Sequence, residues 1–224
     1  MLHSPDTAGP ERIMREVTAA LVRLPFVHAV SVFGSLANGR ADCWSDVDMV
    51  VACNEVETSK WLAATEIRAA KPVLCYREFS AVEQPAGRYW FEGESPFQRL
   101  DVSFHTVEEH LGGYRDSRGM ADCGEFRAVY VRGANSSPLV SSLGPFPRLH
   151  ISSRETEIGK WIHRLFNSLK AQFRGQDRSE EVAGRAAGLR ASLGEMTRES
   201  SLDSGRIGFL AYQLLDIADQ LLGR

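Results

Sequence analysis

The spacing of apolar residues predicts alternating helices and strands in the first part of the chain. In residues 11–24 apolar side chains recur every three or four positions, which predicts an amphipathic helix that Pro25 ends. Residues 27–33 and 46–52 are mostly apolar runs of strand length. Residues 34–45 between them are small and polar, so we expect a loop that joins two strands.

The same reading extends to about residue 132. Residues 58–70 have helical spacing, with Thr58 or Ser59 as the expected N-cap, and residues 106–113 suit a short helix or turn. Four further runs have strand character, namely residues 73–79, 87–92, 97–105 and 126–132. Residues 133–148 are rich in Gly, Ser and Pro and read as a linker.

After this linker the pattern becomes purely helical. Residues 161–173 and 207–222 carry one-sided apolar stripes, and residues 180–198 form a weaker stripe interrupted by glycine. We therefore predict an α+β protein. Its N-terminal domain, residues 10–135, would be a mixed β-sheet with flanking helices, and its C-terminal domain, residues 150–224, a helical bundle.

Composition narrows the class of protein. The 224 residues are 43% hydrophobic and 25% charged, which is typical of a globular chain. The net charge of −3 argues against a polynucleotide partner. The four cysteines form no CxxC pair; they are Cys43, Cys53, Cys75 and Cys123. We therefore expect neither a zinc site nor disulfides, and we expect the protein to be located in the cytoplasm, where thiols stay reduced. No apolar run approaches the ~20 residues that span a bilayer, so no membrane association is expected.

Two aspartates interrupt the second predicted strand. Asp46 and Asp48 are two residues apart, so their side chains share one face of a strand. Converging carboxylates repel each other unless a cation lies between them or one of them is protonated, and Mg²⁺ prefers such oxygen ligands. Gly34 and Ser35 directly follow the first strand, where backbone N–H groups can form a nest for phosphate oxygens. Together these features favour a nucleoside triphosphate bound with Mg²⁺.

This segment resembles a known family. Gly34-Ser35, Ala37, Gly39, Ala41 and Ser45-Asp46-Val47-Asp48 are similar to the nucleotidyltransferase motif of the DNA polymerase β superfamily. That motif is a Gly-Ser pair, a loop and an Asp-hydrophobic-Asp. The resemblance is closest to the small bacterial members that modify aminoglycosides and lincosamides. The alternative is a polar turn with two exposed aspartates.

The resemblance implies a third acid on a later strand, and Asp101 is the candidate. Strand alternation puts Arg99, Asp101, Ser103 and His105 on one face, opposite an apolar face. Glu92 and Glu94 are rivals, but they lie near a predicted turn where exposure is expected. The alternative for Asp101 is an ordinary carboxylate that faces solvent.

The resemblance also implies a reaction. A nucleoside monophosphate, with AMP from ATP as the expected case, would pass to a hydroxyl of a small-molecule acceptor, with release of pyrophosphate. Two Mg²⁺ ions would be held by Asp46, Asp48 and Asp101, with Asp101 also assisting deprotonation of the acceptor. The expected nucleotide- and phosphate-binding residues are Gly34, Ser35, Arg40 and Ser45.

Other readings stay open. The chain could instead modify a protein or RNA, as antitoxin-like members do, or bind nucleotides without catalysis. The helical half would select the acceptor or form a homodimer contact. Trp44 would stack on a ligand ring or cover the sheet. Lys160, His163 and Arg164 are expected on the solvent side of their helix, or, as the resemblance implies for some of them, along a cleft between the two halves.

Overall fold

The computed structural model describes residues 7–54, 56–81, 84–108, 126–133, 153–196 and 202–223. Six helices and six strands are described. The helices are α1 (Ala8–Leu21), α2 (Gly34–Ala37), α3 (Val56–Ala70), α4 (Ser153–Phe173), α5 (Ser179–Met196) and α6 (Leu202–Leu222). The strands are β1 (Val27–Phe33), β2 (Val47–Cys53), β3 (Val73–Ala81), β4 (Gln84–Phe91), β5 (Leu100–His105) and β6 (Arg127–Val131).

The strands form one mixed sheet in the order β3-β4-β5-β2-β1-β6. Strands β2 and β5 run parallel, and the other neighbouring pairs run antiparallel. A parallel pair needs a long crossover connection, and here the chain passes through α3, β3 and β4 between its two members. The expected α+β class is confirmed at this level.

One face of the sheet is covered by α1 and α3. Alternate residues of β2 and β5 face these helices and are fully buried or nearly so: Val47, Met49, Val51, Leu100, Val102 and Phe104. Ile13 and Val17 of α1 and Ile67 of α3 complete this core. The residues between these apolar positions, which include Asp48 and Asp101, consequently face the other side of the sheet.

The helical half packs against the sheet itself. The second apolar cluster combines Leu74, Trp90 and Phe97 from the sheet and the turn before β5 with buried residues of α4, α5 and α6. Trp90 meets Phe166 of α4 edge to face, with ring centroids 6.2 Å apart. The two parts of the chain therefore share an apolar core.

Most predicted elements are found, with shifted ends. Strand β1 has the predicted bounds, whereas α1 begins at Ala8 and accommodates Pro10 in its first turn, where a missing N–H costs nothing. Helix α3 begins at Val56, so Ser59 is not its cap; its buried hydroxyl donates to the carbonyl of Asn54. Of the predicted linker at 133–148, only Gly133 is among the described residues. Residues 109–113 of the predicted short helix or turn also lie outside them. Among the described helices, none has the length and apolar character needed to cross a membrane.

Two glycines of α5 provide a test of the packing between α4 and α5. A Cβ on Gly188 would lie 2.5 Å from the indole of Trp161, whereas a Cβ on Gly184 would meet nothing within 4 Å. Gly184→Ala should raise the free energy of unfolding by about 0.5–1 kcal/mol through helix propensity alone. Gly188→Ala should lower it by about 1 kcal/mol or more, because the indole must move. Urea denaturation measures both, and equal stabilisation by the two substitutions would contradict this packing.

Candidate active site

The parallel pairing of β2 with β5 brings the three predicted acids together. Asp48 lies directly opposite Asp101 in the register of these strands, and Asp46 immediately precedes the first residue of β2. One carboxylate oxygen from each of the three lies within 4.8 Å of the others. The structure thus places Asp46, Asp48 and Asp101 in a single cluster, which we call the acidic triad.

Arginine and lysine side chains surround two members of the triad. Arg99 donates to Asp46 Oδ2 at 2.8 Å and to Asp101 Oδ2 at 3.0 Å. Arg88, which lies opposite Asp101 on β4, donates to the same Asp101 oxygen at 2.9 Å. Lys170 of α4 donates to Asp46 Oδ1 at 2.5 Å. Two of the three carboxylates, Asp46 and Asp101, therefore pair with three cationic side chains, and Asp48 pairs with none of them.

Arg99 is held by aromatic rings as well as by carboxylates. Its side chain is only 5% exposed, and its guanidinium carbon lies 4.4 Å from the ring centroid of Phe166 and 5.6 Å from that of Trp90. The negative faces of aromatic rings attract a guanidinium, most strongly where water is excluded. The shared core thus fixes the cation that joins Asp46 to Asp101.

Asp48 differs electrostatically from its neighbour Asp46. Burial raises the pKa of Asp48 well above its ordinary value, and the carboxylates of Asp46 and Asp101 raise it further. Burial acts in the same direction on Asp46, but Arg99 and Lys170 outweigh it and lower the pKa of that group. Within the described parts of the chain, Asp48 is the one triad member whose carboxylate makes no hydrogen bond or ion pair.

The triad therefore suits a divalent cation. Mg²⁺ takes oxygen ligands and is often bound through one or two carboxylates together with substrate phosphates. The Asp48 carboxylate provides the test of fit, because it is crowded by like charges and lacks the cationic partners that Asp46 and Asp101 have. A cation bound at Asp48 would supply the positive charge missing from this corner of the site.

The glycine of the Gly-Ser pair contacts the triad directly. Gly34 begins α2 with a φ of 68°, and a Cβ there would lie 2.8 Å from Asp48 Oδ2. Both the backbone conformation and the close approach therefore require glycine. Ser35 beside it is partly exposed, and Arg40 at the end of the turn is exposed to solvent. The structure thus puts Gly34 at the triad, Ser35 next to it and Arg40 at the surface.

Ser45 has a different environment from the one expected of a phosphate-binding residue. It is completely buried, and its hydroxyl donates to Asp42 Oδ1 at 2.8 Å and accepts from the Asp42 N–H at 2.9 Å. A contact with a phosphate would require this hydroxyl to leave Asp42. We therefore assign Ser45 to organising the loop before β2.

The sequence reading did not single out Arg88 or Lys170. His163 lies between Arg88 and Arg99, with Nε2 3.2 Å from Arg88 Nη1 and Nδ1 2.9 Å from Arg99 Nη1. Of the two positions expected for His163, the structure shows the one beside the site and not the solvent side of α4, whereas Arg164 is exposed and Lys160 pairs with Glu157. A signal was present, because residues 163, 167, 170 and 174 recur at helical spacing as a polar stripe beside the apolar one.

The rival acids belong to other surroundings. Glu94 pairs with Lys71 at 2.6 Å and with Arg12, and its side chain is 3% exposed. The expectation that Glu94 is exposed is therefore wrong, because it is part of a buried ion pair that ties α1 to the end of α3. Glu92 is exposed in a turn. Neither lies in the acidic triad.

Trp44 joins the two parts of the chain. Its ring stacks on Phe173 of α4 at 4.6 Å and meets Phe97 edge to face at 4.9 Å. Trp44 therefore covers the apolar core between the loop and α4, which is the covering role named among the expectations.

A groove of about 520 Å³ lies elsewhere, between α5 and α6. Residues of these two helices alone line it, and Arg190 pairs across it with Asp219. None of the site residues predicted from the sequence belongs to its lining. We therefore assign no part of the triad's chemistry to this groove.

Comparison with known proteins does not assign the chain to a family. The chain matches no protein-family model, and no curated protein matches it significantly. The functional argument consequently rests on the geometry and the charges of the site.

Proposed function

We propose that this protein is a Mg²⁺-dependent nucleotidyltransferase. It transfers a nucleoside monophosphate, AMP from ATP, to a hydroxyl group of a small-molecule acceptor and releases pyrophosphate. The observation that carries the proposal is the convergence of Asp46, Asp48 and Asp101 within 4.8 Å, with Asp48 and Asp101 on neighbouring parallel strands and Asp46 directly before the first of them. This is the arrangement that the resemblance to the polymerase β superfamily leads us to expect.

In this proposal the triad carboxylates hold the metal. Bound Mg²⁺ would neutralise phosphate charge and lower the pKa of the attacking hydroxyl. Asp46, Asp48 and Asp101 bind the cations through their carboxylate oxygens. Arg88 and Arg99 fix the orientation of Asp101 through hydrogen bonds of 2.9 and 3.0 Å, which supports a ligand role for this residue.

The charge balance of the site supports a polyphosphate substrate. Arg88, Arg99 and Lys170 equal the triad carboxylates in number, although they pair only with Asp46 and Asp101. Divalent cations would leave the site with excess positive charge unless an anion came with them, and a nucleoside triphosphate provides that anion. Lys170 and Arg99 bind Asp46 in the free protein and are placed to contact phosphate oxygens once metal takes over the carboxylate.

The turn at Gly34 supports the position of the phosphates. Gly34 contacts Asp48 Oδ2, so the partly exposed Ser35 beside it is close to any cation bound by the triad. We assign the Ser35 hydroxyl and the backbone of this turn to the β- and γ-phosphates. Arg40 lies exposed at the end of the same turn, where it can neutralise phosphate charge from the solvent side.

Nucleotide binding is tested by thermal denaturation with each of the four ribonucleoside triphosphates. ATP with Mg²⁺ should raise the melting temperature, since a ligand at a hundred times its Kd stabilises by about 2.7 kcal/mol. ATP with EDTA should have little effect. Asp216→Asn changes an exposed carboxylate on α6 and is the matched control for Asp-to-Asn substitutions in the triad; it should show the same shift as the wild type. The absence of a shift with every nucleotide, in both Mg²⁺ and Mn²⁺, would contradict the proposal.

Transfer is tested with α-phosphate-labelled ATP and a panel of hydroxylated compounds. The expected result is a labelled acceptor together with stoichiometric pyrophosphate, both abolished by EDTA. Label recovered in AMP or ADP without a labelled acceptor would indicate hydrolysis rather than transfer.

A further inference from the structure

The loop before β2 is bound to the end of α4 by a two-pronged ion pair. Arg174, the residue after α4, donates from Nη2 to Asp42 Oδ1 at 2.9 Å and from Nε to Asp42 Oδ2 at 3.2 Å. Such paired bonds fix a guanidinium and a carboxylate in one relative orientation. Asp42 is thereby held to a helix that lies more than a hundred residues later in the chain.

Asp42 organises the rest of its loop. Its carboxylate accepts hydrogen bonds from the Trp44 N–H at 3.1 Å and from the Ser45 hydroxyl at 2.8 Å, and its carbonyl accepts from the Ser45 N–H at 3.0 Å. Ser45 is completely buried and directly precedes Asp46. The position of Asp42 therefore determines the path of the backbone into Asp46.

Asp46 depends on this loop because it lies outside the strand. Strand β2 begins at Val47, whose N–H donates to the Arg99 carbonyl at 2.8 Å. Asp48, by contrast, lies within the ladder opposite Asp101. The sheet thus fixes two carboxylates of the triad, and the loop contributes to fixing the third.

We propose that Asp42 and Arg174 are positioning residues that hold Asp46 in the geometry needed to bind a metal–nucleotide complex. Neither residue touches the bound ligands in this proposal. The inference rests on the proposed function, since it assigns the metal to the triad. Trp44 and Phe173 reinforce the same junction by stacking at 4.6 Å.

The positioning effect can be separated from stability. The Arg174 side chain is 34% exposed, and exposed ion pairs contribute at most about 1 kcal/mol to folding. Arg174→Met and Asp42→Asn should therefore fold with melting temperatures close to that of the wild type. Arg178→Met is the matched control, because it removes a nearby arginine that pairs with Glu181.

The experiment is isothermal titration of each protein with Mn²⁺ and α,β-methylene-ATP. Arg174→Met and Asp42→Asn should each weaken binding of this complex about tenfold, and the double variant should be no weaker than either single variant, because the two residues act as one unit. Arg174→Lys should recover part of the affinity, and Arg178→Met should bind as the wild type does.

The outcomes distinguish this inference from the proposed function. A wild-type protein that does not bind the complex would overturn both. Wild-type binding that Arg174→Met and Asp42→Asn leave unchanged would overturn the positioning role alone. A loss of affinity that follows a large drop in melting temperature in every variant, including Arg174→Lys, would also overturn it, since it would indicate a general structural role.

Discussion

Asp48→Asn is expected to lower nucleotidyl transfer on the order of a thousandfold, the scale for removing one group that stabilises charge in a transition state. An amide cannot replace a carboxylate as a ligand of equal charge, and Asp48 is the triad member without a cationic partner among the described residues. The measurement is the initial rate of AMP transfer at saturating ATP and Mg²⁺. Asp216→Asn should retain the wild-type rate, whereas full activity of Asp48→Asn would contradict the metal-binding role.

The same substitution should stabilise the metal-free protein. Burial and the carboxylates of Asp46 and Asp101 raise the pKa of Asp48, so folding favours its protonated form. Below the ordinary pKa of 3.8 this group is protonated in both states and imposes no penalty. As the pH rises from there through the raised pKa, the wild type loses stability, because ionisation is easier in the unfolded chain.

Urea denaturation in EDTA across this pH range measures the effect. The stability gained by Asp48→Asn should be absent at low pH. It should grow as the pH rises above the ordinary pKa, where Asp48 ionises in the unfolded wild type but stays protonated in the folded one. Above the raised pKa it should remain constant. Asp46 behaves in the opposite way, since Arg99 and Lys170 overcome burial and lower its pKa. Its contribution is present above pH 3.8 and is lost as the pH falls through the lowered pKa. A variant less stable than the wild type at neutral pH would contradict the assigned environment of Asp48.

Gly34→Ala should reduce transfer by at least about a hundredfold, because it disturbs the same carboxylate without changing its charge. The added Cβ would lie 2.8 Å from Asp48 Oδ2, so the carboxylate or the turn must move. A φ of 68° adds backbone strain of about 1 kcal/mol for any residue with a Cβ.

Gly39→Ala separates the backbone strain from the contact with the Asp48 carboxylate. Gly39 has a φ of 70°, almost the same as Gly34, but a Cβ there would meet nothing within 4 Å. Both variants should lose a similar free energy of unfolding from backbone strain, measured in urea. Transfer and binding of Mn²⁺ with α,β-methylene-ATP should fall only in Gly34→Ala. Equal losses of activity would show that backbone strain, rather than contact with Asp48, is what matters.

Local pattern was sufficient to predict which face of each strand carries the acids. Alternation put Asp101 opposite an apolar set that is indeed buried, and the bounds of β1 followed from its apolar run. Alternation shows which side of the sheet a side chain faces, but it does not show which strand lies next to it. The direct pairing of Asp48 with Asp101 depends on the parallel alignment of β2 with β5, which are neighbours in the sheet although β3 and β4 lie between them in sequence.

Arg88 and Lys170 were not predicted as site residues because their positions depend on long-range packing. Lys170 reaches Asp46, and His163 reaches Arg88 and Arg99, because the apolar face of α4 packs on Trp90 and Phe97. Helical spacing places Lys170 and His163 on one side of α4 but does not show what that side contacts. The start of α4 was missed because its sequence is polar, with Ile158 as the first large apolar residue of the helix.

Trp90 of β4 and Phe97 of the turn before β5 belong to the N-terminal part of the chain but pack into the core of the helices, and this limits how such a protein can be recombined. A chimera that kept the strands but received helices from another source would have to supply matching aromatic partners as well as the counterparts of Lys170 and Arg174. Change in this architecture is therefore expected to proceed by substitutions within the existing helices rather than by exchange of the whole segment.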